Sequence, residues 1–229
     1  MNDINKIMSN RLKMISNSVR NSNLVYDIGT DHAYVPIDLL QKNIAKKATA
    51  TDIRTGPIKN AKKNIKKYKF EDEIKTKIGN GLDVIDDNPD CIIIAGMGGI
   101  LITQLIENNI DKAKKVKQLI IQAMNNEELV REYMLNKGFK IEFEKLTKDI
   151  NRIYNLISFN YCNYKNDYEG YEFYTSKYLL QKNDKLLKEY LIPKAKRLNA
   201  IIKGQSLNNQ INDDLVVIKK KVEEIIYGN

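Results

Sequence analysis

LVYDIGTDHAYVP, residues 24–36, carries the first decision about fold. A short apolar run over residues 24–28 contains Asp27 near its end and is broken by Gly29; polar residues follow, and Tyr34 then opens a helical pattern. Strand, turn and helix in that order, repeated along a chain, mark crossover units and a mainly parallel sheet. The repeats are ATATDI (48–53), IKTKI (74–78), CIIIA (91–95) and QLIIQ (118–122), each followed by glycine, polar turn residues or a helix start. Helical patterns fall between them at residues 34–43, 57–68, 100–108 and 126–137, with Pro57 suited to a first turn, where no N–H is needed. Residues 139–147 and 152–161 follow one another without a helix, so an antiparallel pair is expected to close one edge of a seven-stranded sheet. The expected class is α/β.

Outward from this frame, Ile4, Ile7, Met8, Leu12, Ile15 and Val19 recur at helical spacing and predict one leading helix over residues 1–22. Beyond Tyr164, the polar, tyrosine-rich KNDYEGYEFY (165–174) leads into a helix over 178–203. Gly204 and Ser206 are expected to separate that helix from a second over 207–227, and Pro193 to kink or interrupt the first. Leu207, Ile211, Leu215, Ile218, Val222 and Ile225 step by three or four, a coiled-coil-like seam. The reading is two domains, 1–163 and a C-terminal helical hairpin, 164–229.

With 229 residues, 42% hydrophobic and 29% charged, the chain has room for one sizeable core. No apolar stretch reaches a membrane span: the longest, CIIIAGMGGILI (91–102), is broken by glycine. The N-terminus lacks a secretory pattern, and Cys91 and Cys162 alone give no disulfide framework, so a cytoplasmic protein with no membrane partner is expected. His32 is the one histidine and has no Cys or His cluster around it, which argues against a metal. A net charge of +9 favours polyanions, although only six of the 38 basic residues are Arg.

Ligands of open parallel sheets collect beyond the carboxyl ends of the strands, so the loops there are the candidate site. In the first, Asp27 precedes Gly29, where a backbone can approach a ligand closely; a dinucleotide site would want three glycines, so a nucleoside-like ligand fits better. Asp52 ends the second strand and could accept from both hydroxyls of a ribose, with an ordinary turn aspartate as the alternative. In GNGL (79–82), the Asn80 amide could read an adenine edge and Leu82 cover its ring. AGMGG (95–99) offers backbone rather than side chain, which suits either a flat substrate or a tight strand-to-helix turn.

Together, DIGTDHAYVPIDLL, ATDIRTGPIKNAKKNI, GNGLDVI, IIIAGMGGILI and LIIQAMNNEELVREYMLNKGF resemble, in the same order, the bacterial tRNA (adenine22-N1)-methyltransferase family, often called TrmK, over about residues 7–160. The resemblance implies a Rossmann-like methyltransferase sheet that uses S-adenosylmethionine to methylate N1 of adenine 22 in tRNA. Carried over, it implies cofactor contacts at Asp27, Gly29, Thr30, Asp31, His32, Asp52, Ile53, Asn80, Gly81, Leu82, Ala95 and Gly96. The family commonly carries Asp where Asn80 stands; the amide oxygen can still accept a hydrogen bond. Asp31, Gly96, Met97 and Gly98 would surround the reaction centre, without the aromatic motif of many adenine N-methyltransferases. Arg11, Arg54 and Lys63 would contact tRNA, Lys63 within a lysine cluster that could equally be a solvated face. The hairpin would clamp the RNA or pair two copies, so a monomer or weak homodimer is expected. Two other readings remain: a NAD-dependent oxidoreductase on the same layered fold, and a non-catalytic RNA-binding protein.

Overall fold

A computed structural model describes residues 3–207 and 212–228. Seven strands, β1 Ser22–Ile28, β2 Ala45–Asp52, β3 Ile74–Ile78, β4 Cys91–Met97, β5 Gln118–Ala123, β6 Phe139–Asp149 and β7 Arg152–Tyr161, form one sheet. Their order is β3-β2-β1-β4-β5-β7-β6. β1 to β5 pair in parallel, and β7 runs antiparallel to both β5 and β6, as the sequence pattern implied. The order reverses between β1 and β4, so the loops leaving these two strands part and open a crevice at their carboxyl ends.

Alternation along the strands builds two cores. Val25, Ala48, Ala50 and Ile93 face α1 Asn10–Ser16, α2 Tyr34–Gln41 and α3 Thr55–Tyr68. Tyr26, Ile28, Ile92 and Ile94 face α4 Gly99–Glu107, α5 Ile110–Lys115 and α6 Glu127–Asn136. In α3 the buried stripe is Ile58, Ala61, Ile65 and Tyr68, and Lys59, Lys62, Lys63, Lys66 and Lys67 all stay exposed.

The leading segment is not one helix. Ser9 takes extended backbone and its Oγ accepts from Leu12 N–H, capping α1, with only a 3-10 turn, Ile4–Lys6, before it. Of the apolar positions, Ile4, Met8, Ile15 and Val19 are buried and Leu12 partly so, but Ile7, at the end of the 3-10 turn, is 56% exposed.

The C-terminal region also departs from a plain hairpin. α7 Gly170–Thr175 and α8 Lys177–Gln181 precede the long pair, α9 Leu187–Leu207 and α10 Asp213–Tyr227. Ser176 and Asn183 have left-handed backbone, which ends a helix, so the first arm begins later than expected. α9 carries Pro193 within it and continues through Gly204 and Ser206, the expected separators. Of the expected seam, Leu215, Ile218, Val222 and Ile225 pack into a third core. Ile218, Val222 and Ile226 are buried against Leu191 and Leu198, Leu207 is 87% exposed, and Ile211 lies outside the described residues.

This third core is stitched to the sheet by a wholly buried ion pair, Arg131 of α6 with Glu144 of β6 at 2.7 Å. Arg131 Nη1 donates to Phe173 O at 2.7 Å, its Nη2 to Asn155 Oδ1 at 3.0 Å, and Ser176 Oγ donates to Glu144 Oε1 at 2.6 Å.

Candidate active site

Two adjoining cavities occupy the crevice. One, about 290 Å³, is lined by Arg11, Asp27, Thr30, Asp31, His32, Ala95 and Gly96; the other, about 220 Å³, by Asp52, Ile53, Asn80, Gly81, Met97 and Leu101. Gly29 and Arg54 line both. Gly29 has φ +79, a backbone that favours glycine, and a Cβ there would push aside the flexible end of Met97, so glycine suits the β1 loop where it passes between the cavities. Gly29 N–H and Thr30 N–H both donate to Thr51 O at 2.8 Å, which fixes that loop to the tip of β2.

Two carboxylates therefore stand at neighbouring strand tips, Asp27 and Asp52, each 6% exposed. Burial pushes Asp27 up to about 6, against the Thr30 hydroxyl and the Arg11 guanidinium that favour its charged form, and the Asp52 carboxylate adds to the rise. Asp52 Oδ1 accepts from Arg54 N at 2.8 Å and from Arg54 Nε at 3.3 Å. Arg11 reaches in from α1: its Nη1 donates to Gln122 Oε1 at 2.9 Å and would lie 3.4 Å from a Cβ on Gly96.

His32 belongs to the rim. Its Nε2 is 3.3 Å from Asp31 Oδ2 and its ring stacks on Tyr34 at 5.1 Å. Among the described residues, no group of three or more His, Cys, Asp or Glu could hold a metal ion, and no helix is long and apolar enough to cross a membrane.

The AGMGG loop divides between the two readings it allowed. Gly96 and Met97 face the cavities. Gly98 turns toward Asn125, and a Cβ on Gly99 would strike backbone of Asn125 and Asn126, so these two glycines make the tight turn. Leu82 is wholly buried in the core beneath the second cavity's loop, and Leu101 and Leu105 supply the apolar wall it was expected to give. Lys63 lines neither cavity. Gln122, which anchors Arg11, was missed; a polar residue closing the apolar run QLIIQ was its sequence signal.

The arrangement suits a nucleoside with a cationic substituent. An acid at the tip of β2 can take a sugar diol, Ile53 and Leu101 offer apolar cover for a base, and the buried Asp27 lacks enough positive charge to ionise at its ordinary value.

The family profile described as "Methyltransferase domain" matches residues 8–157. A curated tRNA (adenine(22)-N(1))-methyltransferase of Bacillus subtilis is 31% identical over 151 residues, which is 66% of this chain and 63% of that protein. The match thus spans under two thirds of that relative. The crystal structure of the B. subtilis M1A22 tRNA methyltransferase TrmK is similar with a TM-score of 0.85 at 25% identity, over 96% of this chain and 98% of that one. M. capricolum TrmK, solved in complex with S-adenosyl-homocysteine, gives a TM-score of 0.75 at 28% identity over 95% and 96%.

Proposed function

The chain belongs to the methyltransferase-domain family, in its TrmK branch, and from that premise we propose that it transfers a methyl group from S-adenosylmethionine to N1 of adenine 22 in tRNA. The observation that carries the reading is the pair of cavities meeting at Gly29, with a buried acid at the strand tip of each.

S-adenosylmethionine, when bound, supplies a sulfonium methyl that the in-plane N1 lone pair can take in line, sulfur keeping the bonding pair and the positive charge passing to the base. No proton leaves N1, so no strong base is required of the protein. Asp52 accepts from the ribose hydroxyls; Arg54 engages only its Oδ1, and Oδ2 serves the sugar. Ile53, Asn80 and Gly81 hold the adenine end, with Leu82 supporting their loop from the core. Asp27, Gly29, Thr30, Asp31, His32, Ala95 and Gly96 enclose the methionine end, where Asp27 answers a positive charge. Asp31, Gly96 and Met97 border the reacting methyl, and Gly98 holds their loop against Asn125. Rate comes from orientation, exclusion of water and stabilisation of moving charge.

N1 lies on the Watson–Crick edge, so the base must be unpaired or extruded first. Arg11 and Arg54 at the crevice and Lys63 on the exposed lysine face of α3 are our RNA contacts, residues 1–163 the cofactor part and 164–229 the RNA-gripping part. The α10 stripe is consumed within the chain, which favours the monomer over the weak homodimer, and the substrate we assign is the cytoplasmic tRNA pool.

The test is methyl transfer from labelled cofactor into unmodified bacterial tRNA, with the product nucleotide mapped by mass spectrometry. One methylated adenine in the D-arm is expected. Asp52→Ala should weaken S-adenosylmethionine binding at least tenfold in a folded variant, since each charge-assisted hydrogen bond is worth about 1.5–3 kcal/mol. Calorimetric binding of NAD in preference to S-adenosylmethionine, or transfer to no tRNA, would overturn the reading.

A further inference from the structure

Between α9 and the loop leaving β5 lies another cleft, of about 390 Å³, lined by Asn126, Arg152, Ile153, Ile192, Pro193 and Arg197 among others. It adjoins the glycine loop: Asn125, also on its wall, accepts from Gly99 N–H at 3.4 Å and would lie 3.1 Å from a Cβ on Gly98. Asn126 lines it, and its Oδ1 lies just beneath the wall, shut off from water and without a hydrogen-bond partner, on a left-handed backbone with φ 53 at the start of α6, so that a turn of the side chain would present the amide to the cleft. A buried polar atom left unpaired costs stability unless a ligand satisfies it.

The charges are set at the rim. Lys194 is spent on Glu127 and Glu128, and Glu189 on Lys148. Arg197 is 53% exposed, 3.4 Å from Glu128, and Arg152 lies 5.2 Å from the Tyr154 ring centre. The same ring carries Arg11 at 5.7 Å, so two guanidiniums and one aromatic ring connect the cavity beside Asp27 to this cleft.

Apolar walls, an unpaired amide and rim arginines match a nucleotide better than an inorganic anion, which would use only the arginines. We propose that this cleft receives the nucleotide presented for methylation, with Asn126 reading the base edge and Arg152 and Arg197 gripping the flanking phosphates. The inference rests on the RNA methyltransferase reading above and gives it a substrate side.

The test uses the full chain and an unmodified tRNA transcript. Asn126→Gly keeps the left-handed backbone and removes the amide; Ile192→Trp fills the cleft; Arg152→Ala/Arg197→Ala removes the rim charge. All three should bind S-adenosylmethionine within twofold of wild type by calorimetry. Asn126→Gly and Ile192→Trp should lose at least tenfold in kcat at saturating tRNA. The double arginine variant should raise KM for tRNA at least tenfold and flatten its salt dependence. Wild-type kcat and KM in folded Ile192→Trp would overturn the proposal, and this variant decides alone if Asn126→Gly fails to fold. A wild-type protein that methylates no tRNA would instead overturn the activity; labelled-tRNA anisotropy on the same variants still decides the cleft, unchanged affinity in the arginine pair counting against it.

Discussion

Asp27 links a cost in folding to a gain in binding. Its carboxyl is raised from 3.8 to about 6 chiefly by burial, so the folded state holds its proton more tightly than the unfolded chain does. The sign follows from linkage: Asp27 makes stability fall as pH rises from about 4 to about 6, and above that its contribution is level. A ligand bringing positive charge beside Asp27 favours the carboxylate and so expels that proton. Affinity for S-adenosylmethionine is therefore expected to rise roughly tenfold between about pH 5 and pH 7 and then level off, in step with the Asp27 titration. Asp27→Asn should bind weakly with a flat profile over the same range. Calorimetry in two buffers of different ionisation heat reads both the affinity and the released proton; a flat wild-type profile would separate Asp27 from the cofactor's charge.

Strands and their ends were legible because a strand buried on both faces reads as an unbroken apolar run, as in CIIIA, and because glycine follows the tip of β1. That is why Asp27, Gly29, Asp52 and Gly96 could be singled out before any coordinates. The helices misled where a local signal met tertiary packing. Apolar spacing over residues 1–22 indicated burial at Ile4, Met8, Ile15 and Val19, but Ser9 as a cap divides the segment and leaves Ile7 exposed. Gly204 looked like a separator, yet it lies inside α9, without a positive φ, and a Cβ there would meet nothing within 4 Å. Gly204→Ala should consequently stabilise the protein by about 0.5–1 kcal/mol, through the lower backbone entropy of the unfolded chain and better helix propensity. Urea unfolding of the variant checks this; a loss of stability would mean that α9 breaks at Gly204 as the sequence suggested.

Arg131 is the residue that sequence reading could not place. Within ELVREYML it looks like one more charged position on an amphipathic helix, and its partners lie 13 to 59 residues away in the chain. In the fold it is wholly buried, and its ion pair with Glu144 is completed from the C-terminal region by Phe173 O, Ser176 Oγ and the Tyr190 hydroxyl. Whatever the division of labour at residue 163, this buried pair ties the two parts together in stability. Ending the chain after Asn163 removes hydrogen bonds to both charged partners, each worth about 1.5–3 kcal/mol, and opens the pair to water. The truncated chain is expected to unfold at least about 3 kcal/mol more easily and to bind S-adenosylmethionine only where it remains folded. In the full chain, Arg131→Met alone should cost about 3–5 kcal/mol, because it leaves Glu144 buried and unpaired, whereas Arg131→Met/Glu144→Met should recover much of that loss. Denaturant unfolding of the three proteins, each also titrated with cofactor, reads this directly. A truncated chain as stable as the full one would mean that the C-terminal helices rest on the sheet without supporting it, and that their contribution to methylation is contact with RNA alone.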